Sequence, residues 1–170
     1  GLTDRDQAKT FIYAFMYGAG PAKIGQVVGG GSKEGKVLID RFLKSMPSLK
    51  RVRDIVTSTA EKHGIIKGID GRLLRTRSPH SALNTLIQGA GAVVCKLWLI
   101  NIMKRTKADN LDVKLVASVH DEYQFEVINK DVQSFGKITK YAMKDTEKQL
   151  QMRCPLDNEY KVGKTWAETH

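Results

Sequence analysis

Three polar residues interrupt an alternating segment near position 120. On either side of His120, Asp121 and Glu122, the segment LVASVHDEYQFEV, residues 115–127, alternates apolar and polar residues with the two-residue period of a half-buried strand. A tight hairpin with Asp121 at its tip is therefore predicted. A carboxylate held on a rigid ribbon beside a second carboxylate is a common way to bind divalent metals for phosphoryl chemistry. The segment thus raises the question of where the partner carboxylate lies.

A stripe of cations and phenols follows the first predicted helix. Arg5, Lys9, Tyr13 and Tyr17 recur every four residues, so at about 100° per residue they form one slowly drifting row. Two cations offer charge to a triphosphate, and two phenols offer flat, amphipathic surface to a sugar and base. The alternative is a pair of solvated cations with both tyrosines half in the core. A neighbouring apolar face holds Ala8, Phe11, Ile12 and Phe15.

A second stripe lies on the longest predicted helix and has different chemistry. His80, Asn84 and Gln88 recur every four residues. Neutral donors in such a row are able to read the minor-groove acceptors that all base pairs share. The alternative reading is a polar face in water.

Other catalytic patterns are incomplete. The stretch GGSKEGK, Gly30 to Lys36, fits the phosphate-loop spacing G-x-x-x-x-G-K, but Val37 stands where a metal-binding Ser or Thr belongs. His120, beside Asp121, fits a zinc ligand or a general base, yet no H-x-x-x-H or C-x-x-C motif accompanies it. Nothing supports a Ser-His-Asp arrangement, and His63 stands alone.

Composition favours a polyanionic partner. The chain has 170 residues with 28 Lys+Arg against 18 Asp+Glu, a net charge of +10. Such a field attracts nucleic acid, although a merely solvated basic surface has the same composition. Cys95 and Cys154 have no metal-ligand spacing and are predicted to be plain thiols. The longest apolar run, residues 89–103, is interrupted by Lys96 and Asn101, so no bilayer span is predicted.

The elements that must position these residues are mostly helical. Capping, glycine and proline signals predict helices from Thr3 or Asp4 to Gly18, Ala22 to Val28, Ser32 (as cap) to Ser45, Pro47 to Gly64, His80 to Lys107 and Asp131 to Gln151. The dipeptide Asp70-Gly71 predicts a hairpin ahead of the long helix, and residues 159–166 are predicted to be extended. The predicted fold class is α+β, dominated by helices.

These motifs together resemble family A DNA polymerases. The series Arg5-x-x-x-Lys9-x-x-x-Tyr13-x-x-x-Tyr17-Gly18 resembles the motif of the fingers helix, and VHDE, Val119 to Glu122, resembles the palm motif, in the right order. The stretches AKTFIYAFMYGAG, GIDGR, RSPHSALNTLIQGAGA, CKLW and GKTWAETH are most similar to the replicative polymerases of short-tailed phages. The resemblance covers essentially the whole chain.

The resemblance implies a role for each matching residue. Arg5 and Lys9 are expected to grip the triphosphate of a dNTP, with Tyr13 on its sugar and base. Asp121 is expected to ligate both Mg²⁺ ions, and Glu122 to support the metal site. The expected contacts to primer-template DNA are Tyr17 and Gly18 at the templating base, His80, Asn84 and Gln88 along the minor groove, and His120 at the primer end. His80 stands where many bacterial relatives have Arg.

The resemblance also implies that part of the active site is missing. The family's partner aspartate lies in a D-x-S-x-x-E-x-R pattern upstream of the fingers, and no such pattern occurs in this sequence. We therefore expect a C-terminal fragment that is inactive alone, with a fingers subdomain over 1–76 and the C-terminal part of the palm over 77–170. The ending WAETH resembles a natural C-terminus. The upstream palm, thumb and any exonuclease are expected in cis or in trans, in a cytoplasmic phage or prophage protein without a membrane partner.

Two other classes of function stay open at this stage. A non-catalytic nucleic-acid-binding module would keep the fold and bind primer-template with salt-sensitive affinity. A metal-dependent hydrolase would use the HDE triplet to cut DNA, although the order of the motifs argues against it. A split polymerase, whose other half is a separate polypeptide, is a variant of the first reading.

Overall fold

The chain forms two compact units in a computed structural model that describes residue 2 and residues 4–169. The units are Gly1–Gly89 and Ala90–His170. Each has its own apolar core, and the longest helix of the chain passes through the boundary between them.

The first unit is built from helices and one small hairpin. In chain order its elements are α1 (Arg5–Met16), α2 (Pro21–Val27), α3 (Ser32–Ser45), α4 (Pro47–His63), β1 (Ile65–Lys67), β2 (Leu73–Arg75), a 3-10 turn (Pro79–Ser81) and the start of α5 (Ala82–Ala108). Asp4 caps α1, because its side chain accepts a hydrogen bond of 2.8 Å from the backbone N–H of Gln7. Thr3, the other predicted cap, lies outside the described residues.

Two predicted helix starts are displaced. Gly31, and not Ser32, is the N-cap of α3, and its N–H donates to the Glu34 side chain over 2.8 Å. A first-turn carboxylate thus reaches back to the backbone, and Ser32 is already helical. His80 lies in the 3-10 turn, so the stripe predicted from His80 begins before helix α5. The predicted end of α4 is confirmed at Gly64, which has a left-handed φ of 68°.

The core of the first unit gathers aromatic rings around α1. Phe11 and Phe15 are 1% and 4% exposed, and each ring centroid lies 5.1 Å from that of Phe42 in an edge-on contact. Ile12, placed on the same apolar face by its spacing, is instead 45% exposed. It lies about 100° around the helix from Phe11, at the edge of the buried stripe.

The short hairpin predicted at Asp70-Gly71 is confirmed. Strands β1 and β2 pair antiparallel, with Ile66 opposite Leu74. The Asp70 carboxylate accepts from the backbone N–H and the side-chain Nε of Arg72, at 3.3 and 2.6 Å, which closes the turn.

The second unit packs a β-ribbon against helices. It contains the rest of α5, then β3 (Val113–Val119), β4 (Glu122–Val127), a 3-10 turn (Asn129–Asp131), α6 (Val132–Gln149) and the four-residue α7 (Trp166–Thr169). The predicted extended end therefore finishes in a short helix. The core comprises Trp98, Ile102, Phe135, Ile138, Ala142 and Met143, with Tyr123 and Phe125 of β4 packed against it.

The α+β, mostly helical class is confirmed by these elements. Within the described part of the chain, the segment Pro79–Ala108 contains an 18-residue window with a mean hydropathy of 1.6, which is long and apolar enough to cross a membrane by length and composition. The core helix of an ordinary folded protein passes the same test, and this segment supplies Leu83 to one core and Trp98 and Ile102 to the other.

Candidate nucleotide and metal sites

The tip of the β3–β4 ribbon presents Asp121 to solvent. Val119 pairs with Glu122, which leaves His120 and Asp121 as a two-residue turn, and both side chains are exposed. His120 has a φ of 54°, a left-handed conformation that non-glycine residues rarely adopt and that is frequent at functional sites. The predicted hairpin and the position of its carboxylate are confirmed.

The Cys95 thiol lies near Asp121 in the second unit. Burial raises the pKa of the Cys95 thiol, and the nearby Asp121 carboxylate raises it further. Burial also raises the pKa of Tyr123. Glu122, half-buried beside the tip, accepts a hydrogen bond from the side-chain amide of Gln124. Cys95 and Cys154 are both free, as predicted.

The donor set at the tip suits a hard divalent cation. Carboxylate oxygens are the ligands that Mg²⁺ prefers, and an exposed Asp121 leaves room for further ligands and water. In the described ranges no three His, Cys, Asp or Glu side chains cluster as a metal site.

The stripe on α1 is exposed in the first unit. Arg5 and Lys9 lie at the surface, and Tyr13 and Tyr17 are 55% and 58% exposed. Their rings are thus available for contacts outside the core, which Phe11 and Phe15 fill instead. Tyr17 follows the last helical residue of α1 as its C-cap.

The two tyrosines line one concave surface of about 490 Å³. Its lining residues are Thr10, Tyr13, Ala14, Tyr17, Gly18, Ala19 and Lys23. Sequence spacing singled out Tyr13 and Tyr17, and the family resemblance added Gly18, but neither indicated Thr10 or Lys23. Lys23 lies on α2, and the turn between α1 and α2 directs it here, so no periodicity of α1 signals its presence.

The second stripe is only partly exposed. His80 and Gln88 are exposed, whereas Asn84 is half-buried on α5. The structure also brings together two motifs that the sequence treats separately, because the backbone of His80 lies against Gly18. Within the first unit, the end of the α1 stripe therefore adjoins the beginning of the α5 stripe.

Positive charge is concentrated in the first unit. Residues 1–89 carry 15 Lys+Arg against 7 Asp+Glu, a net charge of +8, and residues 90–170 carry 13 against 11, a net charge of +2. The electrostatic attraction for a polyanion therefore comes mainly from the unit that holds the α1 stripe.

Comparison with known proteins identifies the fold and then the family. The polymerase domain of Pol1 from M. smegmatis, solved with DNA primer-template and dNTP, superimposes with a TM-score of 0.76 at 23% identity, covering 85% of this chain and 28% of that one. The sequence profile of DNA polymerase family A matches residues 2–168. The chain belongs to DNA polymerase family A.

Its relatives include phage enzymes. It is 42% identical to a DNA-directed DNA polymerase of Escherichia phage Phieco32, covering 100% of this chain and 29% of that protein. It is 40% identical to the DNA-directed DNA polymerase of Escherichia phage T7, covering 99% of this chain and 27% of that one. The chain thus spans less than a third of the length of these relatives. The predicted resemblance to family A and its phage members is confirmed.

Proposed function

We propose that this chain is the fingers and C-terminal palm portion of a template-directed DNA polymerase, which transfers a nucleotide from a dNTP to a primer 3′-hydroxyl. The observation that carries the proposal is the exposed Asp121 at a two-residue turn, in a chain that family A matches along almost its whole length. Residues 1–76 are assigned to the fingers and 77–170 to the palm.

Asp121 is the proposed metal ligand, with Glu122 in support. Members of the family are metal-dependent in general, and two Mg²⁺ ions fit the oxygen donors of these side chains. When bound, such a pair activates the primer hydroxyl and stabilises the pyrophosphate that leaves. Asp121 and Glu122 are adjacent, so their side chains project in different directions and do not clasp both ions from two sides.

The nucleotide would be held by α1. Arg5 and Lys9 supply exposed positive charge, one helical turn apart, for the triphosphate. Lys9 would also neutralise charge as it moves onto pyrophosphate during transfer. Tyr13, next along the stripe, would place its ring against the sugar and base. Its exposure supports this assignment over a role in the core.

Contacts to primer-template DNA would follow from the remaining site residues. Tyr17 and Gly18 line the concave surface beside Tyr13, which suits a position at the templating base. The α5 stripe of His80, Asn84 and Gln88 would track the minor groove, and His120 would touch the primer end. The template dictates sequence in such an enzyme, so these contacts need no base specificity.

The β3–β4 ribbon supports the proposal that an upstream segment completes the palm. Its sheet has two strands in the described part of the chain, and such a ribbon is marginally stable alone. Leu115 and Val116 of β3 are 40% and 67% exposed. We propose that upstream polypeptide, in cis or in trans, packs here and supplies the partner aspartate.

Primer extension by the intact polymerase tests the role of Asp121. Asp121→Asn should lower the rate by at least about a thousandfold, because removing one charge from a metal pair removes several kcal/mol of transition-state stabilisation. Glu126→Gln is the matched control, since it removes an exposed carboxylate from β4, the strand that follows the turn. An Asp121→Asn enzyme that extends primers like the control would refute the proposal.

A second experiment separates the polymerase from a binding module. This chain alone should bind primer-template with salt-sensitive affinity and fail to extend it. Addition of the upstream half should restore extension. Binding without extension in the reconstituted complex would favour the non-catalytic module, and DNA cleavage would favour a hydrolase.

A further inference from the structure

Gln124 connects the carboxylate beside the catalytic turn to the last helix of the chain. Its side-chain Nε2 donates to Oε1 of Glu122. Its Oε1 lies 3.3 Å from the hydroxyl of Thr169 in α7, which donates to it. Both ends of one amide are thus engaged, one by the ribbon tip and the other by a residue 45 positions away in sequence.

Strand geometry places Gln124 next to Glu122. Residues i and i+2 of a strand share one face, so Glu122 and Gln124 lie side by side on β4. The opposite face points into the core, where the Tyr123 ring lies 5.4 Å from Trp98 and the Phe125 ring lies 4.9 Å from Phe135. Core packing therefore fixes the strand that carries the polar pair.

The segment that ends in Thr169 is fastened along α6. The backbone N–H of Leu156 donates to Glu147 over 2.7 Å, and the Asn158 amide donates to the Thr139 hydroxyl over 3.1 Å. The Tyr160 ring contacts Gly136, where an added Cβ would stand 2.4 Å from its Cζ. The chain thus reaches α7 through fixed contacts.

The donor and acceptor ends of the Gln124 amide fix the orientation of its side chain. A carboxylate accepts hydrogen bonds only, so Glu122 selects the rotamer of Gln124 that presents Nε2 to it. The Oε1 of Gln124 then faces Thr169. The Thr169 hydroxyl also lies 3.0 Å from the carbonyl oxygen of Trp166, so its one proton is shared between two acceptors. Loss of the amide would leave a half-buried Glu122 carboxylate without this donor.

We propose that Gln124 is a positioning residue for Glu122 and that Thr169 acts on Glu122 through Gln124. The inference rests on the proposed polymerase function, because it assigns the C-terminal segment a part in orienting the metal-supporting carboxylate. Groups that hold metal-site carboxylates in place typically change metal affinity or activity about 10–100-fold when they are removed.

The first test is a metal titration of primer extension by the intact enzyme. Gln124→Leu should lower kcat about tenfold and shift the Mg²⁺ midpoint upward about tenfold, with the KM for dNTP changed less than about twofold. Gln149→Leu is the matched control, because it removes another glutamine of the same unit, whose amide contacts Asn101. It should leave the midpoint unchanged. Equal midpoints for the two variants would overturn the inference.

A double-mutant cycle tests the path from Thr169. Thr169→Val should lower kcat about threefold and Thr169→Ser should restore it, because serine keeps the hydroxyl. In the Gln124→Leu background, Thr169→Val should have no further effect, since the connecting amide is gone. Independent, multiplying effects would show that Thr169 does not act through Gln124.

A spectroscopic measurement separates this inference from the proposed function. In enzyme labelled with ¹⁵N-glutamine, Thr169→Val should shift the side-chain amide resonances of Gln124, and Thr169→Ser should not. This readout needs no catalysis. A wild-type enzyme that fails to extend primers refutes the proposed function, and unshifted resonances refute the contact. An enzyme that extends primers while Gln124→Leu behaves like its control refutes the positioning role alone.

Discussion

The backbone carbonyl oxygen of His80 stands 2.5 Å from the position that a Cβ on Gly18 would take. Gly18 also has a φ of 80°, which L side chains rarely adopt. The end of the α1 stripe and the start of the α5 stripe therefore meet backbone to backbone, at a position that only glycine fits. This contact fixes the position of Tyr17, the C-cap of α1, relative to His80.

Gly18→Ala should destabilise the chain strongly. The left-handed backbone costs about 1 kcal/mol for alanine, and the contact with His80 adds a steric cost of about 1–3 kcal/mol, since neither partner is a flexible side chain. We expect a loss of about 2–4 kcal/mol in the free energy of unfolding, measured by urea denaturation.

Gly29→Ala is the control that isolates backbone strain. Gly29 has a φ of 69°, but nothing lies within 4 Å of its added Cβ. Its substitution should cost about 1 kcal/mol, from strain alone. Equal losses of unfolding free energy in Gly18→Ala and Gly29→Ala would show that the His80 backbone moves aside at no energetic cost.

An ion pair in the second unit should make stability depend on pH. Arg105 donates to both carboxylate oxygens of Asp145, Nε over 2.6 Å and Nη2 over 3.0 Å. These hydrogen bonds, together with the charge of Arg105, lower the pKa of Asp145. A carboxylate with a lowered pKa stabilises the fold above its ordinary value of about 3.9, and that stabilisation is lost as pH falls through the folded pKa.

Asp145→Asn should therefore cost stability at neutral pH and little in acid. Both side chains are about a third exposed, so we expect a loss of about 1 kcal/mol at pH 7. The difference in unfolding free energy between variant and wild type should begin to shrink below about pH 3.9 and disappear once the pH is below the folded pKa of Asp145. Asp54→Asn, which breaks the exposed pair with Lys50, should change little. A constant difference across the acid range would contradict the assignment to charge.

Local patterns explain what the sequence predicted well. The alternation around Asp121 and the turn dipeptide Asp70-Gly71 specify hairpins through neighbouring residues, and both hairpins form. Asp4 and Gly64 cap helices by contacts within one turn. Such features depend on a few adjacent residues, so the sequence carries them directly.

The features that the sequence did not predict depend on contacts between residues that are distant in the chain. Gly18 and His80 are far apart in the chain, and so are Gln124 and Thr169, so no periodicity relates the members of either pair. Lys23 reaches the concave surface because a turn redirects the backbone after α1. Tertiary packing decides these positions, whereas helix and strand periods report only which face of one element a residue occupies.

The left-handed backbone at His120 should lower the stability of the fold, while its side chain should support primer extension. A φ of 54° costs a non-glycine residue about 1–2 kcal/mol of folding free energy. Glycine removes this strain but is more flexible in the unfolded chain, so the net gain in stability is about 0.5 kcal/mol. His120→Gly should therefore raise the melting temperature slightly and lower the rate of primer extension. Asn110→Gly, at a φ of 53° after α5, should match the gain in stability and leave extension unchanged. Full primer extension by His120→Gly would show that His120 does not contribute to binding the primer end.

Tyr13 should determine how the intact enzyme treats dideoxynucleotides. Its side chain is 55% exposed on the α1 stripe beyond Lys9, where the hydroxyl would take the place of a missing sugar 3′-hydroxyl. Tyr13→Phe should increase discrimination against dideoxy terminators about tenfold or more, because one hydrogen bond of about 1.5 kcal/mol is lost only with the terminator. Tyr17→Phe is the matched control, since it removes the same hydroxyl from the other tyrosine of the stripe, which is assigned to the templating base and not to the sugar. Unchanged termination by Tyr13→Phe, or an equal change in both variants, would contradict the placement of Tyr13 at the sugar.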